Sequence, residues 1–507
     1  MRAVKTWLFL LHRWLGFGGC VLIALWFASG FVMMYVPFPL LTEAERIERL
    51  PRVDVSRLRV SADDALVAAR TKLESDDTIT SLKLVQPNDA PFYAIQAKRF
   101  GWLAVDASTG ESRTSGELDA VAAARRFTGL DAVGVERIDV DQWSVYPGLA
   151  PHRPLFAVDM VDGGRHYVSS RTGELLRDTS RFERGWNWVG SVVHWIYVTP
   201  VRSNSALWHW AVVVTSIYAI IVALLGTVIG VLRLRMGGFA NGRRSPYVGW
   251  MRWHHLLGLF GALFVFSWLI SGLLSMNPFD VFTKINRADF QDRWRGASFA
   301  TSPQGSFVLP SLGELRDIKE IEWLPHAEGA TVLLKSPALN ANANDPSVPR
   351  VQLQAVRVAS DGKQGIEVNA TTVRAKAGLL NTAPIASIER LDEYDLYYYG
   401  RRTARALPIW RVKFEDAAQT WWHIDGRSGE LIGALNSSTR VERWIYYGMH
   451  SWDWLPLWNR RPWAWDVPMV AALLLGTAFS VTSIVIAWRR LRGIRKPAHT
   501  NFSSITE

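Results

Sequence analysis

The chain has 507 residues, 49% of them hydrophobic, with 25 tryptophans, one cysteine and a formal net charge of +11. That length leaves room for several domains, and so apolar and tryptophan-rich a composition is unusual for a soluble enzyme, so membrane spans are the first expectation. A lone cysteine excludes an internal disulfide and a CxxCH motif.

Four apolar runs satisfy that expectation: Trp14 to Val36, Trp210 to Leu232, Leu256 to Met276 and Val467 to Trp488. Each is close to the ~20 residues that cross a bilayer core, and none carries Asp, Glu, Lys or Arg. The basic excess sits beside them. Residues 1–13, 233–252 and 489–507 hold thirteen Lys or Arg against one acid, Glu507. Four spans put these flanks on one face, which is the positive-inside pattern and not a nucleic-acid footprint.

In chain order this predicts a first span in residues 1–40, an extracytoplasmic region over 41–183, and an aromatic histidine segment with the second span over 184–235. A cytosolic loop (236–252), third span (253–278) and second extracytoplasmic region (279–440) follow. A second aromatic histidine segment with the fourth span (441–490) and a cytosolic tail (491–507) complete it. Arg2 and Lys5 ahead of the first run resemble a leader, and "FGGC" (17–20) loosely resembles a lipoprotein box. The duplicate of that run lies mid-chain, so both copies are expected as retained helices.

The duplication is read directly. "LLHRWLGFGGCVLIALWFASG" (10–30) lies over "RWHHLLGLFGALFVFSWLISG" (252–272) without a gap, setting His12 on His254, Trp26 on Trp268 and Ser29-Gly30 on Ser271-Gly272. "VERIDVDQW" (135–143) matches "IERLDEYDL" (388–396), and "RTGELL" matches "RSGELI". The polar regions read as α+β: 61–73 and 117–127 have helical spacing, while 92–98, 155–161, 351–358 and 409–416 alternate like strands. The fold expected is therefore membrane α-helical, four spans as two parallel repeats about a pseudo-twofold axis, with two extracytoplasmic α+β domains.

Topology sorts the eleven histidines. His12, His254 and His255 fall at the cytosolic edge, and His194, His209 and His450 at the outer edge. His152, His166, His326, His423 and His499 have no repeat partner and are read as surface or locally bonded. A single interfacial histidine is adequately explained as a polar cap on a buried helix; a histidine that recurs in both copies is not. His12 pairs with His254 in register, and His194 with His450 across a two-residue gap after Gly190 and Gly448. A twofold axis sets each pair about one point, as axial ligation of haem iron by two imidazoles requires.

Zinc wants about four ligands, and no such cluster is present at either edge; nine scattered methionines make no copper site. Two b-type haems are thus expected, one at each edge, together describing a wire across the bilayer. Trp14, Trp26 and Phe17 are candidate slot walls or interfacial anchors, and Arg13 or Arg252 candidate propionate partners. Gly16, Gly19, Gly258 and Gly261 would permit close approach of a ring or a helix. His209 is the alternative outer ligand and His255 the alternative inner one.

"HRWLG" at the first span, paired regions ending in "TGE"-type turns, and "LDEYDLYYYGRRTARALPIWRVKFEDAAQTWWHIDGRSGEL" (391–431) resemble the PepSY-associated transmembrane helix family, which includes inner-membrane reductases for ferric siderophores. The resemblance implies PepSY-type extracytoplasmic domains, a bacterial inner-membrane location and haem carried between the spans. It also implies electron transfer outward to a periplasmic iron chelate, with His12, His254, His194 and His450 as axial ligands. The extracytoplasmic regions exceed those typical of siderophore reductases, which leaves the acceptor open. The cytosolic segments are too short for a flavin or nicotinamide domain, so the donor would be a quinol or a separate reductase. The competing reading is a membrane-anchored PepSY module that binds a peptide or restrains a protease without redox activity. A chelate transporter would want ionisable residues deep in the spans, and they are missing. "YDLYYYG" (394–400) with Arg401 and Arg402 could dock an anionic chelate or form an aromatic core edge.

Overall fold

The computed structural model describes residues 2–239, 241–302, 305–309, 317–327, 329–339, 351–359, 368–400 and 405–493. Arg401, Arg402 and His499 lie outside them. Four helices are long and apolar enough to cross a membrane: the first span Arg2–Tyr35, the second Ser205–Arg233, the third Trp250–Ser275 and the fourth Asp466–Leu491. The second begins at an Asn204 cap whose side chain accepts from the Ala206 and Leu207 amides; the fourth carries Asp466 in its first turn and Arg489 and Arg490 in its last, matching the helix dipole. The first and third spans each pack against the second and fourth, so the duplicated helices occupy one diagonal of a four-membered ring. Ile23, Phe27, Ala219, Val265, Leu269, Met469 and Leu473 fill its middle.

Among the described residues the strands form a separate compact unit with three antiparallel sheets. From the first polar region come β1 (Ile79–Val85), β2 (Phe92–Ala97), β3 (Gly101–Asp106), β4 (Ser112–Arg113), β5 (Ala132–Ile138), β6 (Leu155–Met160), β7 (Arg165–Ser169) and β8 (Leu175–Thr179). From the second come β9 (Glu320–His326), β10 (Gly329–Leu339), β11 (Val351–Ala359), β12 (Ile385–Leu391), β13 (Ile409–Phe414), β14 (Trp421–Asp425) and β15 (Leu431–Leu435).

Strands β5 to β8 and β12 to β15 are matching four-stranded sheets, each following a helix, Glu117–Thr128 or Ala370–Ala377. The copies share their irregularities, a shift near the start of β5 and β12 and another between Tyr167/Val168 and His423/Ile424. Gly110, Gly173 and Gly429 of the "TG" and "SG" turns have φ of 77°, 71° and 71°, where only glycine is unstrained.

The third sheet differs from the expectation of two independent domains. Its order is β11-β10-β9-β1-β2-β3-β4, with β1 pairing β9 antiparallel, so the two polar regions share one seven-stranded sheet. Neither region buries both edges alone; joining them removes two exposed strand edges. A buried ion network crosses the seam: Arg46 reaches Glu174 at 3.2 Å and Glu320 at 2.6 Å, and Lys335 reaches Glu320 at 2.9 Å and Glu322 at 2.6 Å. Burial alone would raise the Glu320 carboxyl, but the Lys83, Arg46 and Lys335 charges outweigh it and hold it well below the usual range.

Candidate functional site

The two diagonal spans bring His12 and His254 together, with ring centres 6.3 Å apart. His194, on the short helix Ser191–His194, meets His450, at the end of a π-helix over Trp444–His450, with ring centres 6.0 Å apart. The two-residue mismatch between these segments is thus taken up by local winding, a break at Gly190 in one copy and π turns in the other.

The Nδ1 atom of each of the four rings has a hydrogen-bond partner. Ser29 Oγ lies 3.0 Å from His194 Nδ1, and Ser271 Oγ 3.0 Å from His450 Nδ1. Each serine hydroxyl also lies within hydrogen-bond distance of a helix carbonyl, Trp26 O for Ser29 and Ser267 O or Trp268 O for Ser271, so an Nδ1–H tautomer lets each hydroxyl donate to the carbonyl and accept from the ring. His12 Nδ1 faces the Val222 carbonyl at 3.2 Å, which can only accept. His254 Nδ1 faces Ser483 Oγ at 3.1 Å and Thr482 Oγ1 at 3.4 Å, and both hydroxyls donate to Phe479 O. With the proton on Nδ1, which the Val222 carbonyl requires of His12, every Nε2 keeps a lone pair with no hydrogen-bond partner among the described residues. This is the orientation that outer partners impose on metal-ligating imidazoles.

An imidazole nitrogen lies about 1.2 Å from its ring centre and a metal–imidazole bond is about 2.0 Å, so rings on opposite sides of one ion have centres about 6.4 Å apart. The observed 6.3 and 6.0 Å fit that spacing.

The surroundings differ between the pairs. His12 and His254 line a partly open cavity, with Gly16, Phe17, Gly226, Gly258, Arg13 and Arg490 among its walls. A methyl on Gly226 would lie 2.6 Å from His12 Cε1, so only glycine lets that ring seat against the second span. Phe479 stacks on His254 at 5.0 Å. Around the other pair, a methyl on Gly30 would stand 3.7 Å from His194 Cε1 and one on Gly272 3.5 Å from His450 Cε1. Trp26 and Trp268 donate their indole N–H groups to the His194 and His450 carbonyls at 3.1 and 2.9 Å.

Several expectations are corrected. His255 is buried with both nitrogens engaged, Nδ1 on Ser245 Oγ and Nε2 on Gly230 O, each at 2.8 Å, so it has no lone pair for a metal. His209 sits in the first turns of the second span against Trp210 and makes no ring contact with His194 or His450. Trp14 is 64% exposed, Trp26 anchors the far pair, and Arg490 takes the cavity position expected of Arg252. Phe17, Arg13, Gly16 and Gly258 do line the cavity. A methyl on Gly19 would touch Val222 at 3.3 Å, the helix-packing role, while Gly261 has nothing within 4 Å.

His152 bonds Ser169, His423 accepts from Arg411 at 2.8 Å, His166 packs on Phe127 and His326 lies beside Lys376. Tyr398 is buried with its hydroxyl on Ala406 O, the core-edge reading of "YDLYYYG".

The serines were legible as the repeated Ser-Gly but carried no role in sequence. Val222 O, Thr482 and Ser483 left no trace because a backbone carbonyl does in one half what hydroxyls do in the other. Among the described residues no three His, Cys, Asp or Glu side chains converge. No protein-family model matches the chain, and none of the curated proteins does.

Proposed function

We propose that the chain is a di-haem electron carrier of the bacterial inner membrane, with one haem b held by His12 and His254 and a second by His194 and His450. It would pass electrons from a cytosolic reductase or a quinol to an extracytoplasmic acceptor, ferric iron held by a siderophore. This matches the family that the sequence resembles. The observation that supports it is the two histidine couples with ring centres at bis-imidazole spacing, all four Nε2 atoms having no hydrogen-bond partner among the described residues.

When bound, each haem supplies a one-electron iron centre. The protein's part is to hold and tune it. Ser29, Ser271, Ser483 and the Val222 carbonyl keep the protons on Nδ1 and raise the basicity of the ligating nitrogens. Arg13 and Arg490 line the first cavity with positive charge suited to propionates. Ser29 and Ser271 each lie seventeen residues beyond His12 and His254, so the two levels are about 25 Å apart along the helices. Apolar side chains fill the space between them. Anchor helices of a peptide-binding module have no need of paired imidazoles with unbonded Nε2 atoms.

The test is an absorption spectrum of the purified chain, oxidised and dithionite-reduced, with haem counted per chain. Two per chain is expected, falling to one on His12→Ala or His194→Ala. A protein without a Soret band, or one whose band survives loss of all four histidines, overturns the proposal.

A further inference from the structure

The approach to the second and fourth spans is built the same way twice. Trp208 donates its indole N–H to the carbonyl of Trp195, the residue after His194, at 2.7 Å. Trp465 donates to the carbonyl of Ser451, the residue after His450, at 3.0 Å. The tryptophans are therefore equivalent, and so are the residues following them, His209 and Asp466. Each tryptophan also carries a guanidinium on its face. Arg202 lies 4.5 Å from the Trp208 ring centre and 5.0 Å from that of Tyr197. Arg461 lies 4.8 Å from Trp465 and 4.4 Å from Trp458.

The copies part at the counter-charge. Asp466 closes the Arg461 fork with two bonds, from Nε at 2.7 Å and Nη2 at 2.6 Å. Arg202 is the more buried of the two, 7% exposed, yet among the described residues no carboxylate lies within ion-pair distance. Its Nη1 donates to Ser205 Oγ at 3.3 Å, and its Nε is buried without a partner. A buried guanidinium without a counter-ion is costly, whereas a carboxylate or phosphate satisfies its fork with two charged bonds. The site also stands at the start of a 29-residue helix, whose positive end favours an anion, and His209 replaces the carboxylate that would repel one.

We propose that Arg202, at the start of the second span and with His209 in place of the acid, binds an external oxyanion, a carboxylate or phosphate, where Asp466 serves Arg461 from within the chain. The same chemistry could come from a phospholipid headgroup or a small soluble anion, and the experiment separates them. The proposal does not depend on haem.

Thermal unfolding of the full chain is followed in neutral detergent with inorganic phosphate against chloride at matched ionic strength, and in nanodiscs of phosphatidylglycerol against phosphatidylcholine. Wild type is expected to be stabilised by one of these anions. Stabilisation by phosphate identifies a soluble ligand, and stabilisation by phosphatidylglycerol alone identifies the headgroup. His209→Asp, which copies the second half, should fold without added anion and bind the effective probe at least about tenfold more weakly, the scale of a lost charged hydrogen bond. Arg202→Gln should lose the response as well. Wild type indifferent to both probes, or His209→Asp responding as wild type does, overturns the proposal.

Discussion

Replacing Ser29 with alanine removes one buried hydroxyl and leaves the small side chain's apolar contacts in place. That hydroxyl donates to Trp26 O at 3.1 Å and accepts from His194 Nδ1 at 3.0 Å. Its loss strands an N–H in a closed site, a cost of about 1–3 kcal/mol, and frees the ring to turn or to take the other tautomer. Partners of metal-ligating histidines typically contribute about 10–100-fold in affinity, or about 1.4–2.7 kcal/mol, so the two routes agree. On the proposed di-haem function, haem affinity at the His194–His450 pair should fall by that factor while the His12–His254 pair is untouched. Ser271→Ala should act alike through His450. Haem per chain and a potentiometric titration monitor this: wild type should titrate as two components, and each serine variant should lose or shift one. Two unchanged components in both variants would refute the tautomer argument.

Gly226→Val should remove the other component, because even a methyl there lies 2.6 Å from His12 Cε1 and overpacking typically costs about 1–3 kcal/mol; haem counting checks it. Glu320→Gln leaves Arg46 and Lys335 short of a buried partner and should destabilise the sheet unit by about 3–5 kcal/mol in denaturant titration. Burial pushes His152 and His423 down to about 3, so their contribution is complete above their unfolded value and is lost as pH falls. Unfolding should therefore become easier below about pH 6.5, and His152→Gln should flatten that limb in a pH series of melts.

The spans, their number and the duplication were legible in the sequence because hydropathy and strict register are local properties of the chain. The pairing of His12 with His254 followed from that register, and that of His194 with His450 needed only a short gap. What sequence could not decide was the choice among neighbours of the same kind. His254 and His255 are adjacent, chemically identical and both line the cavity, yet one helical step of about 100° sets the second with both ring nitrogens on Ser245 Oγ and Gly230 O and leaves the Nε2 of the first unbonded among the described residues. His209 was separated from His194 in the same way, by where its helix begins. The seam between β1 and β9 and the ion network across it join residues more than two hundred positions apart, and strand alternation carries no information about which edge meets which. Local periodicity fixes which residues share a face; only packing decides what each face meets, and hence which imidazole keeps its lone pair.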